Sequence, residues 1–359
     1  MELLKEKTLG SIKIKNSFVM AAMTRSRADL NGVPTEMMIE YYKQRSTAGL
    51  LITEATNISK DAIGSPLTPG IYSKEQIEAW KKVTDAVHKN GAKIVLQLWH
   101  TGRVAHSIDR DGKLPVAPSA LAIKSTQHFT SKGLQEYQTP KELTIEEIKK
   151  IKSDYKQAAL NAIEAGFDGV ELHAANGYLP LQFFAESANK RTDKYGGTTE
   201  KRSRFILEVL QDLIDAIGAD KVGIKLSPFQ PYGDIIFENP IESYSYLIEQ
   251  INKLDLAFVE YMKRNFNLIE TPHYPSGDEI KLLASKIKKK VIANTNYTKE
   301  SAEQELKKGI ASAISFGSSY LANPDLPFKF ENDLELNVPK PQTFFGGNEV
   351  GYTDYPYQK

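Results

Sequence analysis

Cysteine is absent from this chain of 359 residues. That excludes disulfides, thiolate metal sites and a cysteine nucleophile. A charge excess is absent too: 46 Lys and Arg face 45 Asp and Glu, for a net charge of +1. Nothing in that balance points to nucleic acid or to an acidic membrane surface. No apolar run is long enough to span a bilayer, and the opening Met1-Glu-Leu-Leu-Lys-Glu-Lys7 lacks the basic start and apolar segment of a secretory signal. The expectation is a cytoplasmic protein, monomer or homodimer, with no nucleic-acid or membrane partner. Hydrophobic residues make up 41% of the chain, enough for a large core. The basic run Lys286 to Lys290 reads as a solvated face at a helix end.

What the chain does contain is alternation. Short β-branched or apolar runs recur at Phe18–Met23, Leu50–Ala55, Lys93–Trp99, Gly169–Ala174, Val222–Ser227, Leu256–Tyr261, Lys290–Ala293 and Ser312–Phe316. Helical periodicity lies between them at 74–90, 144–165, 200–217, 276–289 and 298–308. Strands alternating with helices argue for a parallel sheet with crossover helices. Eight of them fit a single (β/α)8 TIM barrel spanning 1–359 better than a doubly wound sheet, since no G-x-G-x-x-G turn follows the first strand. The stretch 102–143 is too long for a simple loop and reads as a capping insertion after strand 3. The tail 339–359, rich in aromatics, Gly and Pro, is expected to pack on the body.

The polar residues gather after the strands. Thr24 and Arg25 follow the first, and Glu54-Ala55-Thr56 ends the second. Gln97 and Trp99-His100 belong to the third. His173, Asn176 and Tyr178 leave the fourth, and Lys225 and Ser227 the fifth. Asn294-Thr295-Asn296 follows the seventh and Gly317-Ser318-Ser319 the eighth. In a barrel all of these converge on the C-terminal face, where active sites form and where the last two loops often bind phosphate. The turn Gly169 to Tyr178 is the most informative. His173 and Asn176 can hold a substrate oxygen, with Tyr178 beside them to deliver a proton.

This pattern resembles the Old Yellow Enzyme family of flavin-dependent ene-reductases. The resemblance covers essentially the whole chain. Its carriers include Val19-Met-Ala-Ala-Met-Thr-Arg-Ser-Arg27, Thr53-Glu-Ala-Thr56, Gln97-Leu-Trp-His100, Val170-Glu-Leu-His-Ala-Ala-Asn-Gly-Tyr178, Ala322-Asn-Pro-Asp-Leu326 and Gly351-Tyr-Thr-Asp-Tyr-Pro356. It implies bound FMN and NAD(P)H as co-substrate, NADPH favoured. It also implies hydride transfer from flavin N5 to the β carbon of an activated alkene, an enone or a nitro compound. Carried over by position, Thr24 tunes the flavin, Gln97 holds its pyrimidine edge, and Ala22, Met23, Ala55, Thr295, Asn296, Gly317 and Ser318 complete the cofactor site. His173 and Asn176 polarise the substrate oxygen, Tyr178 protonates the α carbon, and Trp99 and Phe345 line the substrate pocket. Thr24 in place of a cysteine implies the Thr-containing branch.

Several positions depart from the family. Lys225, which the resemblance places in the cofactor site facing the flavin N1 and C2 carbonyl, stands where Arg is usual, keeping the charge without the planar fork. Ser318 stands where an Arg normally holds the FMN phosphate. The usually Gly-rich turn after strand 7 is Asn294-Thr295-Asn296, and Pro180 follows Leu179. These departures raise an alternative: a degenerate relative with weak or absent FMN, acting as a binding protein. A metal-dependent hydrolase built on His100, His173 and Glu54 is a further alternative, although the chain has no H-x-H or H-E-x-x-H pattern.

Overall fold

The computed structural model describes residues 1–265 and 270–358. Eight strands form its centre: β1 (Phe18–Met20), β2 (Leu50–Ile52), β3 (Lys93–Trp99), β4 (Gly169–Ala174), β5 (Val222–Leu226), β6 (Phe258–Met262), β7 (Val291–Asn294) and β8 (Ala311–Phe316). Each pairs in parallel with the next. β8 pairs in parallel with β1 through Ile314↔Phe18, Ser315↔Val19 and Phe316↔Met20, which closes the barrel. The fold is the (β/α)8 barrel that the alternation implies. Residues 21–23 and 53–55, expected within the first two strands, lie beyond their ends, and Ala22, Met23 and Ala55 line the barrel mouth.

The helices are α1 (Glu36–Gln44), α2 (Lys74–Lys89), α3 (Ile145–Glu164), α4 (Leu179–Phe184), α5 (Thr199–Ile217), α6 (Pro240–Ile251), α7 (Glu279–Leu282), α8 (Lys299–Lys307), α9 (Ser318–Ala322) and α10 (Leu326–Glu331). Capping sets several starts. Ser73 and Gln76 form a reciprocal capping box on α2, as do Thr144 and Glu147 on α3. The helix expected over 276–289 is a correction. Only α7 and a 3-10 turn at Ala284–Lys286 form there. Ile280, Leu283, Ala284 and Ile287 are buried at helical spacing, but the backbone departs from the α-helix at Leu283 (φ −122°, ψ −46°). Lys286 ends the 3-10 turn and the rest of the lysine run lies past it, with Lys286, Lys288 and Lys290 exposed. α1 and α6 fall outside the segments with helical periodicity; α6 begins in a recognisable way, with Asn239 capping and Pro240 in the first turn.

Strand alternation sorts the side chains. Outward residues such as Val170, Leu172, Ile224 and Val259 join the core shared with the helices. Inward residues fill the barrel in two layers. The lower layer is apolar: Val19, Leu50, Ile52, Val95, Phe258, Ile292 and Ala313. A hairpin of Lys7–Leu9 and Ile12–Ile14 plugs it from below with Leu9, Ile12 and Ile14. The upper layer is polar: Gln97, Glu171, Lys225, Glu260, Asn294 and Ser315, all buried. Within the stretch 102–143, Gln127–Thr130 and Gly133–Glu136 form an antiparallel hairpin that reaches over the mouth.

The tail is bound by arginines. Arg25 and Arg45 are fully buried and Arg27 nearly so. Arg25 donates to the carbonyls of Phe344 (2.9 Å) and Gly351 (2.9 Å), and Arg27 to those of Thr343 (3.0 Å) and Asn348 (3.2 Å). Arg45 donates to the carbonyl of Tyr352 (3.1 Å). The ring of Tyr352 stacks on Tyr41 at 4.1 Å and 5°.

Gly223 shows how tightly the interior is filled. A Cβ added there would lie 2.3 Å from the ring of Phe258. Gly223→Ala should therefore lower stability by roughly 1–3 kcal/mol, the usual cost of overpacking. Urea unfolding checks this, and an unchanged midpoint would show that the ring moves aside freely.

Candidate active site

A cavity of about 750 Å³ opens at the C-terminal ends of the strands. Ala22, Met23 and Thr24 line it from the β1 exit, Ala55 from β2, and Gln97 and Trp99 from β3. His173, Asn176 and Tyr178 enter from β4, and Gly317 and Ser318 from β8. Phe345 and its neighbours Phe344 and Gly346 enter from the tail. Twelve residues expected from the sequence thus share one cavity.

Three expected residues lie elsewhere. Lys225 is not among the lining residues; its ammonium sits in the polar layer, 2.9 Å from Glu260 Oε2. Thr295 and Asn296 line a neighbouring depression together with Lys263, Arg264 and Lys308. A hydrogen bond of 3.2 Å from Asn296 to Asn265 links it to the main cavity, which Asn265 lines. Thr295 (φ 94°) and Asn296 (φ 54°) both take left-handed backbone. The turn therefore keeps the shape that glycine favours, built from an Asn that tolerates it and a β-branched Thr that resists it.

The β4 turn is the chemical centre. The ring of Tyr178 meets His173 edge to face at 4.8 Å and Trp99 at 5.1 Å. Asn176 has φ 52°, and its backbone N–H donates to Ser227 Oγ at 3.0 Å, which fixes the turn. His173 Nδ1, Asn176 Oδ1 and Trp99 Nε1 are buried and make no hydrogen bond among the described residues. Burial, and then the nearby positive charge of Lys225, push the His173 imidazolium far below its ordinary range, so the ring is neutral. Burial, with Tyr232 and Tyr137 adding to it, lifts the Tyr178 phenol well above 10. The site therefore presents a neutral imidazole, an amide and a firmly protonated phenol to the same space.

Several lining residues were not anticipated: Gln127, His128, Phe129 and Leu134 of the hairpin, Tyr232 after β5, and Leu67. The hairpin strands alternate in burial, His128 and Thr130 in and Gln127 and Phe129 out, the reverse of what the apolar ring of Phe129 suggests in sequence. Tyr232 follows a proline in an irregular loop and carried no signal.

The alternative metal site does not assemble. Among the described residues no group of three His, Asp or Glu side chains converges as ligands. His100 is fully buried; burial lowers its pKa to about 3, and its Nδ1 accepts from the Gly102 N–H at 3.1 Å. Glu54 instead holds the β1 loop by accepting from the N–H groups of Arg25 (3.1 Å) and Ser26 (3.3 Å).

The family model that matches the chain is that of the NADH:flavin oxidoreductase / NADH oxidase family, over residues 2–337. The chain belongs to this family. It is similar to a probable flavin mononucleotide-dependent alkene reductase of Leishmania infantum, 41% identical, with 99% of this chain and 97% of that protein covered. It is also similar to a putative 12-oxophytodienoate reductase of Oryza sativa subsp. japonica, 40% identical over 97% of this chain and 95% of that protein. Among solved structures, an Old Yellow Enzyme homologue from Zymomonas mobilis superposes with a TM-score of 0.95 at 38% identity, covering 99% of each chain. Morphinone reductase in complex with tetrahydroNAD superposes with a TM-score of 0.92 at 41% identity, covering 100% of this chain and 98% of that one. The protein is thus an NAD(P)H-dependent flavin oxidoreductase of the Old Yellow Enzyme type, with FMN as cofactor and a nicotinamide coenzyme. The cavity fits that cofactor: Gln97 and Thr24 line it, and a Cβ at Gly317 would meet only Met23 Sδ, at 3.7 Å, leaving the backbone after β8 open.

Glu54 yields a stability prediction. Burial raises its pKa from 4.5 to about 7, against the lowering effect of the two N–H donors. The folded chain holds this proton to higher pH than the unfolded chain. Its contribution is therefore full below 4.5 and is lost as pH rises through about 7. Glu54→Gln should flatten the pH dependence of stability across that window by on the order of 3 kcal/mol. Denaturant melts at several pH values check it, and identical slopes in parent and variant would show that Glu54 titrates normally.

Proposed function

We propose that the protein is an ene-reductase acting on small electron-poor alkenes, cyclic enones and nitroalkenes among them. The observation that carries this reading is the β4 turn: His173 Nδ1 and Asn176 Oδ1 lie unpartnered and buried beside the Tyr178 ring, all on one cavity. The hydride would come from bound FMN once the nicotinamide coenzyme has reduced it. Thr24, Gln97, Ala22, Met23, Ala55, Gly317 and Ser318 are the residues on the cavity wall to hold it. Thr24 supports a place in the Thr-containing branch.

The chain's own residues do the rest. A carbonyl or nitro oxygen accepts from the neutral His173 ring and, with its amide turned to present Nδ2, from Asn176. Those donors withdraw electrons from the alkene and favour attack at its β carbon. Tyr178, whose proton is held well beyond neutral pH, delivers it to the α carbon. Trp99 keeps that phenol upright by its edge-to-face contact. Because His173 is already neutral, substrate binding should show no ionisation near 6.5.

The purified protein should show a flavin spectrum that NADPH bleaches under anaerobic conditions and cyclohexenone restores. Tyr178→Phe should slow the enone step by about 10²–10⁴ and leave the NADPH step nearly unchanged. Stopped-flow measurement of the two half-reactions decides; equal slowing of both removes Tyr178 from the donor role.

The phosphate end gives a second expectation. A serine hydroxyl offers one neutral donor where an arginine offers a charged fork. Ser318→Arg should therefore tighten FMN and leave riboflavin, which has no phosphate, little changed. Fluorescence titration of both ligands tests this, and equal gains for both would place the phosphate away from Ser318.

A further inference from the structure

We propose that Glu171 and Glu260, in the polar layer beneath the cavity, share one proton and together set how much positive charge Lys225 presents upward, making the electron affinity of a flavin bound above depend on pH. This rests on the reading that FMN occupies the cavity.

The geometry comes from strand register. Glu171 stands beside Gln97 on β3, and Lys225 stands beside His173 on β4 and Glu260 on β6. Gln97 Nε2 donates to Glu171 Oε1 at 2.7 Å, and Ser315 Oγ donates to Glu260 Oε1 at 2.5 Å. Lys225 Nζ lies 2.9 Å from Glu260 Oε2, an ion-pair contact not aligned as a hydrogen bond. Both Oε2 atoms are otherwise unpartnered among the described residues, and β5, which carries Lys225, lies between the strands of the two glutamates. A proton on Glu171 Oε2 turns one orphaned acceptor into a donor.

Charge counting demands that proton. Glu171 and Glu260 are fully buried and Lys225 is 4% exposed. Two carboxylates against one ammonium leave a net negative charge in a dry interior, which is costly. One shared proton makes the layer neutral. Burial first, and then the Glu260 charge, drive the Glu171 carboxyl well above its ordinary range, while Lys225 opposes this. His173 is the other titratable neighbour, and it is neutral. The layer below is apolar, and Asn294 and Ser315 supply only neutral groups.

The layer then has a defined response to charge above it. Loss of the shared proton at alkaline pH makes it anionic and disfavours an added negative charge in the cavity. Glu171→Gln keeps the hydrogen-bonding shape and cannot ionise. Glu171→Gln with Glu260→Gln leaves Lys225 uncompensated.

Infrared spectroscopy of the purified full chain tests the proton directly. At pH 8.5, above the Glu54 transition, the parent should show a buried carboxylic-acid band that Glu171→Gln abolishes. A band unchanged in that variant overturns the proposal, with or without bound flavin. Potentiometry on the flavin-loaded protein tests the consequence. The double variant should bind reduced over oxidised flavin at least tenfold better than the parent, a rise of about 30 mV for a two-electron couple. Glu171→Gln alone should lose the alkaline steepening of potential against pH. Unshifted potentials in both variants overturn the coupling. A chain that takes up no FMN at all refutes the flavin reading, and the infrared band still decides the shared proton.

Discussion

The closure of eight parallel strands on themselves is the constraint on which everything else depends. Once β8 pairs with β1, every second side chain of every strand must point into one narrow interior. That interior cannot hold water freely, so its contents must be apolar or mutually satisfied. The lower half takes the first course and the upper half the second. The boundary between them sets the depth of the cavity floor, and the polar layer gives that floor its charge.

Much of this was legible in the sequence because barrel geometry is periodic. Runs such as Lys93–Trp99 and Gly169–Ala174 matched their strands residue for residue, because both are long and sharply bounded. Short strands were harder. β1 and β2 each end after three residues, although apolar and small residues continue past them. What stops them is tertiary: the Ala21 N–H still bonds the Phe316 carbonyl, and the chain then turns out to form the mouth.

The site residues divide in the same way. His173, Asn176 and Tyr178 stood out because one turn carries all three. Lys225 was visible as a cation on an inward position, but its partner Glu260 lies on the next strand, and only register shows that they meet. The fully buried pair of Glu171 and Gln97 has the same origin. Hairpin residues such as Phe129 gained their place from a loop trajectory that no local pattern encodes.

The arginine clasp has a further consequence. Arg25, Arg27 and Arg45 grip the tail through its carbonyl oxygens, which every residue type possesses. Docking of the segment therefore rests in large part on its backbone, with Tyr352 and Tyr355 the side chains buried against the body. Phe345, 66% exposed at the rim of the cavity, is free of that constraint. The rim can thus be re-lettered without undocking the segment that carries it. In evolutionary terms, the lettering of the cavity rim and the attachment of the tail are separable traits, written in side chains and largely in backbone respectively.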